Sequence, residues 1–142
     1  MKHLYTNQVT EQVRMDNIIE QLGRLGLNEH PLIFIDDQGN VRAKTVIDVN
    51  TDIGDIEGER CYICEVDPDT PRLFYIDTDT VIDATRSNSV SSCIPYTSVE
   101  EESNVQIVSK YSNDGEVKCF FCTTKRVYPG DTLLLSIYTE AL

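Results

Sequence analysis

The sequence predicts a mostly β (α+β) fold of several small β-sheets, led by one N-terminal amphipathic helix. Two observations carry this. Apolar residues recur at helical spacing before residue 30, and after Pro31 they fall into short runs separated by turn sequences. In EQVRMDNIIEQLGRLGL (11–27), Val13, Ile18, Ile19, Leu22 and Leu25 share one helical face, with Thr10 placed as N-cap and Gly26 as C-cap. Residues 1–30 are therefore read as a helical segment packing on or beside the domain, and residues 31–142 as the β domain.

The strands come in order. Residues 32–35 and 41–47 flank the turn DDQGN, and residues 60–66 and 73–76 flank DPDTP. Val81-Ile82 comes next. Residues 105–111 and 116–123 flank SNDG, a hairpin signal because Asp-Gly tolerates positive φ. YPGD then leads into a last strand over 132–138. The stretch TRSNSVSSCIPYTSVEEES (85–103) is polar and reads as a loop, with Glu100, Glu101 and Glu102 as a solvated run.

Charge is the strongest bulk signal. Lys and Arg number 12 against 24 Asp and Glu, a formal charge of −12. Eleven acidic residues lie between Asp48 and Asp83, opposed only by Arg60 and Arg72. Such a surface repels nucleic acid and anionic lipid and attracts Lys/Arg-rich partners, besides keeping the protein soluble. No run of 18 apolar residues offers a membrane span. MKHLYTNQVTEQV lacks the apolar core of a secretory signal. With five cysteines, an odd number, this argues for an intracellular, reducing location.

Two C-x-x-C pairs, CYIC (61–64) and CFFC (119–122), raise the question of a four-cysteine zinc site. Tyr62-Ile63 and Phe120-Phe121, however, are strand formers. In a strand, residues i and i+3 face opposite sides and cannot reach one ion without a bulge. Cys61, Cys64, Cys119 and Cys122 are therefore read as core or near-core strand positions, with zinc as the alternative. His3 and His30 sit in polar segments near no evident nucleophile motif, and no phosphate-cradling glycine loop or H-E-x-x-H occurs.

The second half carries a recognisable order: VIDATR (81–86), SSCIPY (91–96), NVQIV (104–108), DGEVKCFFC (114–122) and YPGDTLLL (128–135). It resembles the C-terminal half of a SET domain. GNVRA (39–43), and DIEGE (55–59) with ICE (63–65) after it, are similar to that family's opening segment and to its next turn and strand. The resemblance covers about residues 32–140. It implies small β-sheets with a knot-like C-terminal segment, S-adenosylmethionine as cofactor, and methyl transfer to lysine, commonly on histone tails. It also implies a nuclear, chromatin-associated setting. Candidate cofactor positions are Gly39, Ser91, Ser92 and Cys93, and the only candidate catalytic residue is Tyr138.

The departures from the family set the expected function. Val90-Ser91 stands where the family has Asn-His, and Tyr96 where it has Asn after the proline. The stretch between Ala84 and Cys93 is shorter than usual, and only Gly39 remains in the opening segment. Direct register places Leu135 and Ile137 at the family's tyrosine position, with Tyr138 one residue further on and so on the other face. The segment between the strands at 66 and 71 is short. The expectation is a non-catalytic SET-like scaffold or interaction module that uses no cofactor and binds basic protein partners. The alternatives are an active S-adenosylmethionine-dependent lysine methyltransferase, an unrelated mostly-β interaction domain, and a zinc ribbon on the two C-x-x-C pairs.

Overall fold

The computed structural model describes residues 26–141, with side chains as far as residue 138. The expected helix over 11–27 lies almost wholly outside the described residues. The described chain is mostly β, as the short apolar runs required. Its nine strands form three sheets, and the described helical turns are 3-10 pieces of at most four residues. No described helix is long and apolar enough to cross a membrane.

β1 (Ile33–Ile35) and β2 (Val41–Ala43) make the first, two-stranded sheet. The Asp36 carboxylate closes their turn by accepting the N–H groups of Gln38 and Asn40, both at 2.9 Å. Gly39 takes φ 84° there, a conformation most side chains disfavour. The second sheet runs β3 (Asp52–Asp55), β8 (Val117–Thr123), β7 (Val105–Tyr111), β9 (Leu135–Ala141). Asp114-Gly115 does make the β7–β8 turn, with Gly115 at φ 85°. The third sheet places β6 (Thr80–Asp83) between β4 (Glu59–Tyr62) and β5 (Leu73–Tyr75).

Five elements differ from the sequence reading. The strand expected over 41–47 ends at Ala43, and Ile47 makes only an isolated bridge with Val127. β3 is a strand that Gly54 and two aspartates, all strand-poor residue types, concealed. The strand expected over 60–66 stops at Tyr62, and Ile63–Glu65 turns as a 3-10 piece. The polar loop folds into two 3-10 turns, Val90–Cys93 and Glu100–Glu102. The final strand begins at Leu135, three residues later than expected.

All three sheets feed one core. Ile33 and Val41 come from the first, Ile53, Val105, Ile107, Phe121 and Leu135 from the second, and Phe74 and Ile82 from the third. Phe121 is fully buried and meets Phe74 edge-on at 5.0 Å, the favoured aromatic geometry. The C-terminal segment ties the sheets together. Leu133 N–H donates to Val41 O and Gly130 N–H to Ala43 O, while Val127 and Ile47 exchange backbone bonds. Leu135 then pairs with Val105 on one side and Tyr96 on the other, both parallel.

Arg42 clamps this segment from the hairpin. Its guanidinium donates to Asp36 Oδ2 at 2.5 Å, Gly130 O at 2.8 Å and Thr132 Oγ1 at 3.1 Å. The Arg42 hydrogen bond, with the two turn amides, holds the Asp36 carboxyl down at about 2, below its usual value of 3.8. A depressed carboxylate contributes stability that is present above the unfolded value and lost as pH falls through the folded one. Urea midpoints of the wild type and Asp36→Asn should therefore differ by a constant amount above pH 5 and converge between about pH 4 and 2.

Candidate functional site

The resemblance points first to the turn Val90–Cys93. It packs against β1 and β2, and four serines hold it. Ser89 Oγ and Ser91 Oγ are 2.7 Å apart, and Ser92 Oγ donates to Ser87 Oγ at 3.0 Å. Ser91 and Ser92 are 0% and 1% exposed. Buried hydroxyls need partners, and these find them inside the turn. Val90 is also buried and offers no hydrogen-bonding side chain, while Cys93 is half-buried against the core.

β3 reaches this turn through Gly54. At φ 138°, a Cβ on Gly54 would lie 2.6 Å from Ser91 Oγ. The glycine is needed for both backbone and space. Of the other candidate cofactor positions, Gly39 serves the β1–β2 turn.

Tyr138 lies on β9 and is 63% exposed, its N–H donating to Ser136 Oγ at 3.0 Å. Its register differs from the sequence reading. Val105 pairs with Leu135 but Ile107 with Thr139, so β9 carries two extra residues over that interval. Nothing in TLLLSIY signals this bulge. The pairing of Leu135 with Tyr96 does bring the chain just before Tyr138 alongside the chain just after Cys93.

Tyr96, which the SET resemblance sets where that family has asparagine, is committed elsewhere. Its hydroxyl accepts the Tyr75 N–H at 3.0 Å, and its ring packs 6.1 Å from that of Phe74. Burial pushes the phenol up to about 12, so it stays neutral.

The cysteines separate by strand geometry. On β8, Cys119 alternates inward with Phe121 and Thr123, whereas Cys122 falls on the opposite face, half-buried. Cys61 is half-buried on β4, and burial together with the nearby Glu59 pushes its thiol up. Cys64 is exposed in the 3-10 turn, not a near-core strand position, because β4 ends before it. Among the described residues no group of three or more His, Cys, Asp or Glu side chains is arranged to hold a metal ion.

A second region emerges from packing. Glu57, Glu59, Asp83 and Arg86, with the polar residues Asn28 and Asn88, line a cleft of about 740 Å³. Glu59 and Asp83 sit directly opposite each other on β4 and β6, a like-charge pairing that costs stability. Hydrogen bonds from the Thr85 side chain and N–H hold the Asp83 carboxyl below its usual range, with help from Arg86. Gly58, also in the lining, lets the chain entering β4 pass close to the end of β6, since a Cβ there would collide with the Asp83 carbonyl. The sequence signalled the acidity of this region but not its convergence, because Glu57 and Asp83 are far apart in the chain.

No protein-family model matches the chain, and no curated protein sequence matches it.

Gly54→Ala should destabilise the protein by about 1–3 kcal/mol through its positive φ and the clash with Ser91. Adding Ser91→Gly should recover part of the loss, read as a positive coupling in denaturant midpoints. A loss in the double variant equal to the sum of the Gly54→Ala and Ser91→Gly losses would show that the two sites are not coupled.

Proposed function

We propose that the chain is a non-catalytic SET-like interaction module that docks a Lys/Arg-rich segment of a protein partner, such as a histone tail, in the acidic cleft. The observation carrying this reading is the Glu59–Asp83 pair. Two acidic residues stand opposite each other on adjacent strands, joined by Glu57, at the wall of a cleft large enough for a peptide segment. Like charges at opposed strand positions add nothing to the fold, whereas a cationic side chain entering the cleft would be drawn to all three acids. Among the described residues of the lining, Arg86 is the single cation and leaves the cleft acidic.

The cofactor positions support the non-catalytic part of the reading. The Ser91 and Ser92 hydroxyls are enclosed and bonded to neighbouring serines, and Val90 replaces an amide-bearing residue. These side chains do not fit S-adenosylmethionine as hydrogen-bonding partners. The charge of −12 disfavours nucleic acid and anionic membranes as partners. The module belongs, on this reading, in a reducing and nuclear compartment among basic proteins.

Glu59→Lys separates stability from binding. It turns a like-charge cross-strand pair into an opposite-charge one and should stabilise the fold by about 0.2–1 kcal/mol. The same change should weaken binding of a histone-tail peptide at least about tenfold, with affinity falling as salt rises. Unchanged peptide binding with intact folding would refute the cleft as the docking site.

A second reading, lysine methyl transfer through Tyr138, is favoured by one observation: the β9 bulge frees Tyr138 from the simple alternation that placed it on the wrong face. Calorimetric titration with S-adenosylmethionine and S-adenosylhomocysteine tests it. The non-catalytic reading expects no heat of binding at millimolar ligand. Micromolar binding would favour the enzyme.

A further inference from the structure

We infer that His30 is a proton-sensitive latch on the strap of residues 26–32, and that its uncharged ring holds in place the wall by which this strap borders the acidic cleft. The consequence for binding rests on the cleft as the docking site; the latch itself does not.

The strap runs between two hollows. Asn28 lines the acidic cleft on one side and, with Glu29 and His30, a smaller hollow of about 340 Å³ beside the Val90 turn on the other. On the cleft side Asn28 N–H donates to Asn88 O at 2.8 Å. Leu27 and Leu32 pack against the core. The half-buried His30 supplies the remaining fastening, with both ring nitrogens. Nδ1 accepts the Leu32 N–H at 3.0 Å, and Nε2 lies 2.8 Å from Ile53 O on β3. Ile53 adjoins Gly54, so the ring ties the strap to β3 beside the Gly54–Ser91 contact.

These two bonds fix the state of the ring. A ring nitrogen that accepts a hydrogen bond carries no proton, so the single proton sits on Nε2 and is donated to Ile53 O. A second proton would have to go on Nδ1, where it would meet the Leu32 N–H. Two donors cannot share a bond, so the charged ring gives up Leu32 and loosens the strap. Both ring partners are backbone groups, and neither is a carboxylate that would favour a charged ring. The charged groups around it are few. Lys44 Nζ donates to His30 O at 2.6 Å, and Glu29 shares the hollow. From β3 come Asp52, whose Oδ1 accepts the Gly54 N–H, and Asp55 at the far end. The segment that holds Asn88 brings Arg86, while β1 and the Val90 turn bring none.

Amide hydrogen exchange of the full-length protein, followed together with the imidazole nitrogen resonances of His30, tests the latch. At about pH 7.5 the ring should carry its proton on Nε2 alone. Lowering the pH to about 5 spans the interval in which histidines ordinarily change charge. Protection of the Leu32 and Asn28 amides, corrected for intrinsic exchange, should fall at least about tenfold, with the same midpoint as protonation of the ring. In His30→Asn that fall should vanish, because the Asn side chain can accept the Leu32 N–H in the same i→i+2 bond and does not titrate. His3→Asn, which changes the only other histidine, should leave it intact. Affinity for a histone-tail peptide should drop about fivefold or more over the same range in the wild type but not in His30→Asn. Protection that ignores pH, or that falls with a midpoint other than the ring's, would overturn the latch. Peptide affinity that stays constant while protection falls would overturn its coupling to the cleft. A protein that shows the exchange switch yet binds no peptide at either pH would leave the latch standing and refute the docking reading instead.

Discussion

The fold depends on the C-terminal segment from Val127 to Leu135 being held from both sides. On one side lies the chain after β1, bonded from Val41 to Ile47. On the other lies Asn104, whose side chain donates to Thr132 O and accepts the Leu134 N–H, while its backbone N–H donates to Leu134 O. Leu135 continues this, fully buried between Val105 and Tyr96. None of the three sheets is large, and the widest has four strands. Sheets this small acquire a common core only if something crosses between them, and this segment does so with buried backbone hydrogen bonds that would be costly to leave unmade.

The two regions of functional interest share a second constraint, the close approach of backbone through glycine. Gly54 admits Ser91, and Gly58 admits the Asp83 carbonyl. The results are opposite in chemistry. At Gly54 the approach closes space, and hydroxyls become partners of one another. At Gly58 the approach lies at the wall of the cleft, where carboxylates from separate strands gather. Glu57, Glu59 and Arg86 stay exposed and Asp83 is half-buried, while the neutral Ser91 and Ser92 are taken inside.

Arg60 shows how the sheets communicate around the cleft. It leaves β4 within the acidic run, yet its guanidinium donates to the Val117 carbonyl and lies 3.9 Å from Cys119 Sγ on β8. One of the two cations opposing the acidic run is thus directed at another sheet. The cleft itself is left to Arg86 and three carboxylates.

The mostly-β class, the hairpin at Asp114-Gly115, the turn at Gly39 and the opposite faces of Cys119 and Cys122 were all legible in the sequence. Each is a local matter of φ preference or of period-2 alternation, which neighbouring residues decide among themselves. β3, the early end of β4 and the two extra residues in β9 were not legible, because pairing partners distant in the chain impose them on residues with no such preference. The same division holds for the sites. Composition determined that the surface is acidic and that Val90 cannot act as an amide. Only the tertiary structure decided that Ser91 and Ser92 are enclosed and that Glu59 faces Asp83, since burial and cross-strand register are properties of the assembled sheets.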